Sequence, residues 1–372
     1  MKNMKFPFFQ VEGDAYETGF QYGQLVKEQV HKSIDVYRTI FLERSDIQWN
    51  KALEVAETYV PVIQEYDAGA IDEMRGIAEG AETRFLDIVA INCNSEILHP
   101  DQFLSGCTAI AVLPDVSLSG HTLLGQNYDW NAALIDSIIL LEVKRKGGIR
   151  SFNFIEAGMV PTNGMNSAGI GIVGNCLGTD ELPKVGIPFA FYRRKILSSK
   201  NIYSAIEAIA MAKRSRSSHT MIGSRQGFVI GIEANPEEFY TLYPDRGLLA
   251  HANHFISPDF REKDTMKARL VDSLYRDWRM KQILEPKRGK IEVSDLKEAL
   301  RDHFGYPRSI CRHSEGFKHK SQNAMTVGSY IMDLDTGEIQ IAAGNPCEVK
   351  YEKYRLPLDN IIAYPPVTKK NV

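Results

Sequence analysis

The chain has no marked excess of charge. Its 44 Lys+Arg stand against 47 Asp+Glu in 372 residues, a formal net charge of −3. Nucleic acids and anionic membranes recruit dense positive charge, so neither is expected as a partner. Long hydrophobic runs are missing too. No window approaches the roughly 18 apolar residues of a membrane span. Cysteine is sparse: Cys93, Cys107, Cys176, Cys311 and Cys347 are widely spaced, odd in number and without a CxxC pair. That pattern argues against a disulfide framework and against a zinc site. The opening MKNMKFPFFQVEGDAYE lacks the apolar core and cleavage site of a secretory signal. The closing KKNV is no retention or peroxisomal address. A reducing, cytoplasmic setting is expected.

What is present is an apolar fraction of 44%, too high for a disordered chain. The first hundred residues read as helices. Asp14 and Glu17 have capping-box spacing, and apolar positions recur at helical period through Phe20, Leu25, Val30, Ile34 and Tyr37. Further helices are expected near 47–66, 68–79 and 86–97. From Cys107 onward the period changes to short β-rich runs with turn residues between them. Gly147-Gly148, Asn235-Pro236 and Asp335-Thr336-Gly337 each join two such runs as hairpins. Helices return near 189–197, 202–212, 266–284 and 294–303. Hairpins without regular βαβ alternation predict an α+β fold, with largely antiparallel sheets and helices stacked outside.

The composition changes most sharply at Ser105-Gly106-Cys107-Thr108. A cysteine opening an apolar strand is, by default, a small core residue. If 107–113 pairs with 123–129 around a turn near Leu118, however, Cys107 faces Asp129, with the two side chains ~5 Å apart. A cysteine nucleophile also needs a base. His251, His254 and His313 are candidates. A second route is a cut between Gly106 and Cys107, which would free an α-amine of pKa ~8 on the nucleophile itself. Gly106 suits that cut, because without a Cβ it leaves its carbonyl open to the thiol.

These residues carry a family resemblance. The helical runs Asp72–Ala81, Asp87–Asn92 and Ser95-Glu96-Ile97 are similar to those of the acyl-CoA:6-aminopenicillanate (isopenicillin N) acyltransferase family. Gly106-Cys107-Thr108 resembles its self-cleavage site, and Gly125-Gln126-Asn127-Tyr128-Asp129 its GQNxD strand. Asn166–Gly169, His251–His254 and Tyr306–Arg312 match further blocks in order, so the likeness runs from about residue 12 to 345.

The resemblance implies an N-terminal-nucleophile (Ntn) hydrolase, a four-layer αββα sandwich with two antiparallel sheets. It implies a precursor that cuts itself into a helical segment, 1–106, and a catalytic chain, 107–372, which together form one compact domain. Cys107 would be the nucleophile and its freed amine the base. Asp129 would orient that amine, and Asn253 would donate its amide to the oxyanion. Asn175 and Arg312 are candidates for oxyanion or substrate contact. The expected activity is hydrolysis of a small linear amide through a Cys107 thioester. The alternative is acyl-CoA-dependent N-acyl transfer, and outside the enzyme class stands an inert scaffold. No cofactor or metal is expected, with acyl-CoA entering only as a substrate. The expected partners are the small amide and the chain's own cleaved segment; a homo-oligomer stays open. Tyr128, Trp130, Met165 and Phe255 are expected to wall an acyl pocket.

Three features invite other readings. Gly169-Ile-Gly171-Ile-Val-Gly174 fits GxGxxG, but prolines and no helix follow it, so a dinucleotide site is rejected. Lys213-Arg214-Ser215-Arg216 could meet phosphates, yet a charged helix end is preferred. Cys311, His313 and His319 lack a fourth ligand at zinc-site spacing, so a solvated loop is preferred there.

Overall fold

The computed structural model describes residues 4–98, 106–179, 184–318 and 322–360. Ser105, at the expected boundary, and His319 lie outside the described residues. The N-terminal part runs β1 (Phe8–Gly13), α1 (Ala15–Leu25), α2 (Lys27–Ser45), α3 (Trp49–Tyr66), α4 (Ala68–Gly80), α5 (Phe85–Asn92) and α6 (Asn94–Ile97). Then come β2 (Cys107–Val112), β3 (Leu123–Asn131), β4 (Ile138–Arg145), β5 (Arg150–Glu156), β6 (Gly164–Asn166) and β7 (Ile170–Cys176). After them follow α7 (Phe189–Leu197), α8 (Ile202–Ala210), β8 (Ser218–Ser224), β9 (Phe228–Ala234), β10 (Phe239–Leu242) and β11 (Leu248–His251). The last elements are α9 (Ser273–Leu284), α10 (Val293–Leu300), β12 (Ala324–Asp333), β13 (Glu338–Ala342) and β14 (Glu352–Arg355).

Local chemistry accounts for many of these boundaries. Asp14 accepts from the Glu17 N–H at 2.9 Å while the Glu17 carboxylate accepts from the Asp14 N–H at 2.9 Å, so the capping box starts α1 as expected. The helical pattern that runs on to Tyr37 breaks at Val26, which divides α1 from α2. The helices α1 and α4 cross with almost no gap. A Cβ on Gly19 would lie 2.2 Å from the Glu73 carbonyl oxygen, and one on Gly76 2.3 Å from the Tyr16 carbonyl oxygen. Only glycine permits that approach.

Among the described residues the strands form two sheets, ordered β1-β4-β5-β6-β7-β8-β9-β10 and β11-β2-β3-β12-β13-β14. The three expected hairpins are β4–β5, β9–β10 and β12–β13. The smaller sheet is wholly antiparallel, whereas the larger contains one parallel pair, β1 beside β4. That pair corrects two expectations: the N-terminal hundred residues are not all helical, and one sheet is not purely antiparallel. The partner strand of Phe8–Gly13 lies more than a hundred residues away, so no nearby turn announces it.

The layers follow from alternation along the strands. In β4, Ile139, Leu141 and Val143 face the helices with Ile77, Ile91 and Phe191, while Ile138 and Leu140 face the other sheet. In β2, Ala109 and Ala111 meet the larger sheet, and Ile110 and Val112 meet Met280, Leu296 and Leu300 of α9 and α10. The result is a four-layer αββα sandwich. Among the described residues no helix is long and apolar enough to cross a membrane.

Candidate active site

The β2–β3 register differs from the expected one by a single residue. Cys107 stands opposite Tyr128, and Asp129 stands opposite Gly106, whose carbonyl accepts from the Asp129 N–H at 2.9 Å. A one-residue slip sends side chains to opposite faces. The Cys107 side chain therefore points to the Tyr128 side, and the Asp129 carboxylate to the face of α9. The register differs because the ten residues between the strands form an irregular connection, with Ser117 hydrogen-bonded to His121.

The Gly106–Cys107 peptide is nonetheless gripped from every side. Asn253, two residues beyond β11, accepts from the Cys107 N–H at 2.7 Å through its side-chain oxygen. The Cys107 carbonyl accepts from Asn175 Nδ2 at 2.9 Å and from Arg276 Nη1 at 2.7 Å. Arg276 is fully buried. It also donates to Thr108 Oγ1, Asn253 Oδ1 and Asp272 Oδ2, each at 2.9 Å. The point a Cβ on Gly106 would occupy lies 3.2 Å from Asp129 Oδ2, 3.2 Å from Arg276 Nη2 and 3.4 Å from Arg312 Nη1. A side chain there would need Arg276 Nη2 and Asp129 Oδ2 to give by a few tenths of an ångström.

Burial tunes the charges. It pushes the Asp129 carboxyl up to about 7, against the pull of Arg276, the Thr326 hydroxyl and Arg312. Thr326 donates to Asp129 Oδ1 at 2.7 Å, while Oδ2 is buried without a hydrogen-bond partner. The Cys107 thiol is likewise pushed up to about 12, first by burial and then by the Asp129 and Cys176 charges. A thiol so placed stays protonated near neutral pH and needs a nearby base before it can attack.

The expected site residues thus meet, though not all as expected. Cys107, Asp129, Asn253, Asn175 and Arg312 gather around the backbone of Gly106 and Cys107. Asn253 turns its oxygen toward Cys107, while its amide donates to the Cys176 carbonyl at 3.0 Å. The expected donor role to an oxyanion is therefore not the arrangement seen. At the Gly106 carbonyl that donor is the Asp129 backbone N–H. Asn175 is engaged at both ends, since its Oδ1 lies 2.8 Å from His219 Nδ1. Arg312 is buried; its Nε and Nη1 make no hydrogen bond, and its guanidinium lies 4.0 Å from the Asp272 carboxylate and 3.9 Å from that of Glu315.

Among the described residues no histidine hydrogen-bonds the Cys107 thiol. His251 is fully buried, between the Glu233 carboxylate and the Ala252 carbonyl. His254 meets Ser273. His313 belongs to a separate group of side chains with His303, Cys311 and Cys347. Cys311 is itself buried, so the solvated-loop expectation fails there.

Arg276 and Thr326 escaped notice in the sequence. For Thr326 no signal exists. For Arg276 there is one: Ser273, Arg276, Met280 and Leu284 form the buried stripe of α9, and a charge on such a stripe wants a buried partner.

The cavity beside Cys107 has about 50 Å³ of open space, against roughly 300–1,000 Å³ for small-molecule pockets. Tyr128 and Trp130 line it as expected, together with Asn94, Ser95 and Glu96 from the N-terminal segment. Met165 and Phe255 do not: the first is in the inter-sheet core, the second in a small cluster with Leu177 and Phe260. The rejected glycine motif is β7 itself. Gly174 makes room for the Arg193 guanidinium, and a Cβ there would stand 2.1 Å from its Nη2. The basic run offers no phosphate patch, because Arg214 is buried and donates to four backbone carbonyls.

The αββα layering with its two sheets is the fold that the family resemblance implies. The chain belongs to the acyl-coenzyme A:6-aminopenicillanic acid acyl-transferase family, whose model matches residues 117–348. An acyl-coenzyme A:6-aminopenicillanic-acid acyltransferase (40 kDa form) from Emericella nidulans is 25% identical over 341 residues, covering 90% of this chain and 92% of that protein. Among solved structures, a conjugated bile acid hydrolase from Clostridium perfringens has 14% identity and a TM-score of 0.46, covering 68% of this chain and 98% of its own. A penicillin V acylase from Agrobacterium tumefaciens has 12% identity and a TM-score of 0.43, covering 64% and 83%.

Proposed function

We propose that this chain is a self-processing cysteine amidohydrolase, acting on a linear amide of a small acylated amine or amino acid through a thioester on Cys107. One observation carries this: the Gly106 carbonyl, the Cys107 N–H and the unpartnered Asp129 oxygen converge on a single buried peptide bond. In the cut, the thiol proton reaches the Asp129 carboxylate, whose pKa of about 7 suits a base at neutral pH, through a bridging water, because the two side chains leave the strands on opposite faces. The sulfur bonds to the Gly106 carbonyl carbon, and the resulting oxyanion is held by the Asp129 N–H. The C–N bond then breaks, the Cys107 nitrogen takes up the proton, and a thioester joins Gly106 to the sulfur. Water hydrolyses that thioester, leaving a Gly106 carboxylate and a free thiol.

The new α-amine then serves as the base for substrate turnover. Asn253 Oδ1 already accepts from this nitrogen and would aim its lone pair at the thiol. The small cavity suits a precursor that cannot yet admit substrate. The wall contributed by Asn94, Ser95 and Glu96 suits small amides and excludes folded proteins. The family match favours a second outcome, transfer of the acyl group from acyl-CoA to an amine in place of water.

The test is N-terminal sequencing and intact mass of the purified protein, followed by an assay panel of N-acyl amines, N-acyl amino acids and penicillins with and without acyl-CoA. A chain starting at Cys107 and hydrolysis without a donor are expected. Product formed only with acyl-CoA and an amine acceptor would establish the transferase instead. An active protein that begins only at Met1 would remove the self-processing step.

A further inference from the structure

Three loops on the α9–α10 side of the smaller sheet bring together side chains that are far apart in sequence. His303 follows α10, Cys311 and His313 lie in the loop that leads toward β12, and Cys347 follows β13. One ligand atom from each of these four residues lies within 4.8 Å of every other. The separations that define the group are Cys311 Sγ–Cys347 Sγ 3.5 Å, Cys311 Sγ–His313 Nε2 3.7 Å, Cys347 Sγ–His313 Nε2 3.4 Å and His303 Nε2–His313 Nε2 3.2 Å.

Those lengths have a simple meaning. Around a tetrahedral zinc ion with Zn–S about 2.3 Å and Zn–N about 2.0–2.1 Å, the S···S, S···N and N···N edges come to about 3.8, 3.6 and 3.3 Å. Four of the six edges match within a few tenths of an ångström, and the two from His303 to the sulfurs stay within 4.8 Å. A disulfide does not describe the pair, since its sulfurs would stand about 2.05 Å apart.

The surroundings are those of a metal site as well. Asn345 Nδ2 reaches Cys311 Sγ at 3.5 Å and donates to the Arg312 carbonyl at 2.7 Å. The Glu348 carboxylate lies 3.7 Å from His313 Nδ1, the ring nitrogen turned away from the group. Partners that satisfy a ligand sulfur and orient the far side of a ligand imidazole are typical behind metal ligands.

We propose that His303, Cys311, His313 and Cys347 bind one zinc-type divalent cation with a closed Cys2His2 shell. Four protein ligands leave no open position for water, so the ion would be structural. Its place suggests what it secures. Arg312 lies between two of the ligands, and its guanidinium stands against Gly106. An ion that ties 311–313 to the loop at Cys347 would hold that guanidinium over the cleavage junction.

The test is metal analysis of the full chain, purified without chelator or metal-affinity resin, together with cobalt substitution. About one zinc per chain is expected, and Co²⁺ should give a thiolate-to-metal charge-transfer band. Cys347→Ser should lose both signals. His303 is exposed, so His303→Ala should keep its circular dichroism spectrum while its zinc affinity falls at least tenfold. A wild-type chain that stays free of zinc and gives no thiolate–cobalt band after zinc or cobalt is added would overturn the proposal. So would a Cys311–Cys347 disulfide in the native protein, or equal metal content in the wild type and both variants.

Discussion

Arg276 is the residue on which the junction hangs. Its guanidinium joins Cys107, Thr108, Asn253 and Asp272 with no exposure to solvent. Removing one partner of a buried ion pair strands the other charge, which costs about 3–5 kcal/mol. Arg276→Met should lose that much in urea unfolding, measured on a Cys107→Ala background so that a single chain unfolds. Asp129 gives a pH signature. Its carboxyl titrates near 7 in the folded chain and near ~3.9 when unfolded, so the folded state holds a proton that the unfolded state has released. Its contribution to stability is present below pH ~4 and is lost as pH rises through about 7. The melting temperature of Cys107→Ala should therefore fall across that window, and adding Asp129→Asn should flatten the fall. Sequence blocks sufficed to gather Cys107, Asp129, Asn253, Asn175 and Arg312. They could not supply the strand parity that separates Cys107 from Asp129, because parity is set by a turn whose geometry no residue in it dictates.

At the scale of elements, local signals are legible in part: they miss the break at Val26 and start α9 at 266, where the helix begins only at Ser273. Turn residues placed the hairpins, and capping chemistry placed the start of α1. Contacts between distant elements were not legible: β1 pairs with a strand beyond residue 137, and the four metal-ligand candidates come from three loops. The α1–α4 crossing is intermediate, since glycines four apart in both helices (Gly19 and Gly23, Gly76 and Gly80) hint at close approach without saying to what. Because backbone carbonyls stand 2.2–2.3 Å from the added methyl, Gly19→Ala or Gly76→Ala must push the two helices apart. A destabilisation of about 1–3 kcal/mol is expected for each, read from the shift of the urea midpoint at unchanged slope.

The whole molecule is knitted across the proposed cut. Residues before Gly106 supply an edge strand of the larger sheet and most of one helical layer, and they share a continuous apolar core with residues after it. After cleavage the two pieces should therefore co-elute in gel filtration at the size of the intact chain and separate only in denaturant. Separate elution under native conditions would show that the interface is weaker than its burial implies.

The parallel pairing of β1 with β4 also gives the protein a history. While the chain is continuous, β1 can find β4 by diffusion of one tethered segment. If Gly106 and Cys107 part as proposed, the same search would need two molecules to meet, each exposing a large apolar face while it waits. The mature form would then be maintained by the slowness of its unfolding, with no ready route back. Dilution from urea should restore Cys107→Ala independently of protein concentration. The processed protein should recover poorly, and less the more dilute it is. Its lifetime, more than its free energy, would set how long it works.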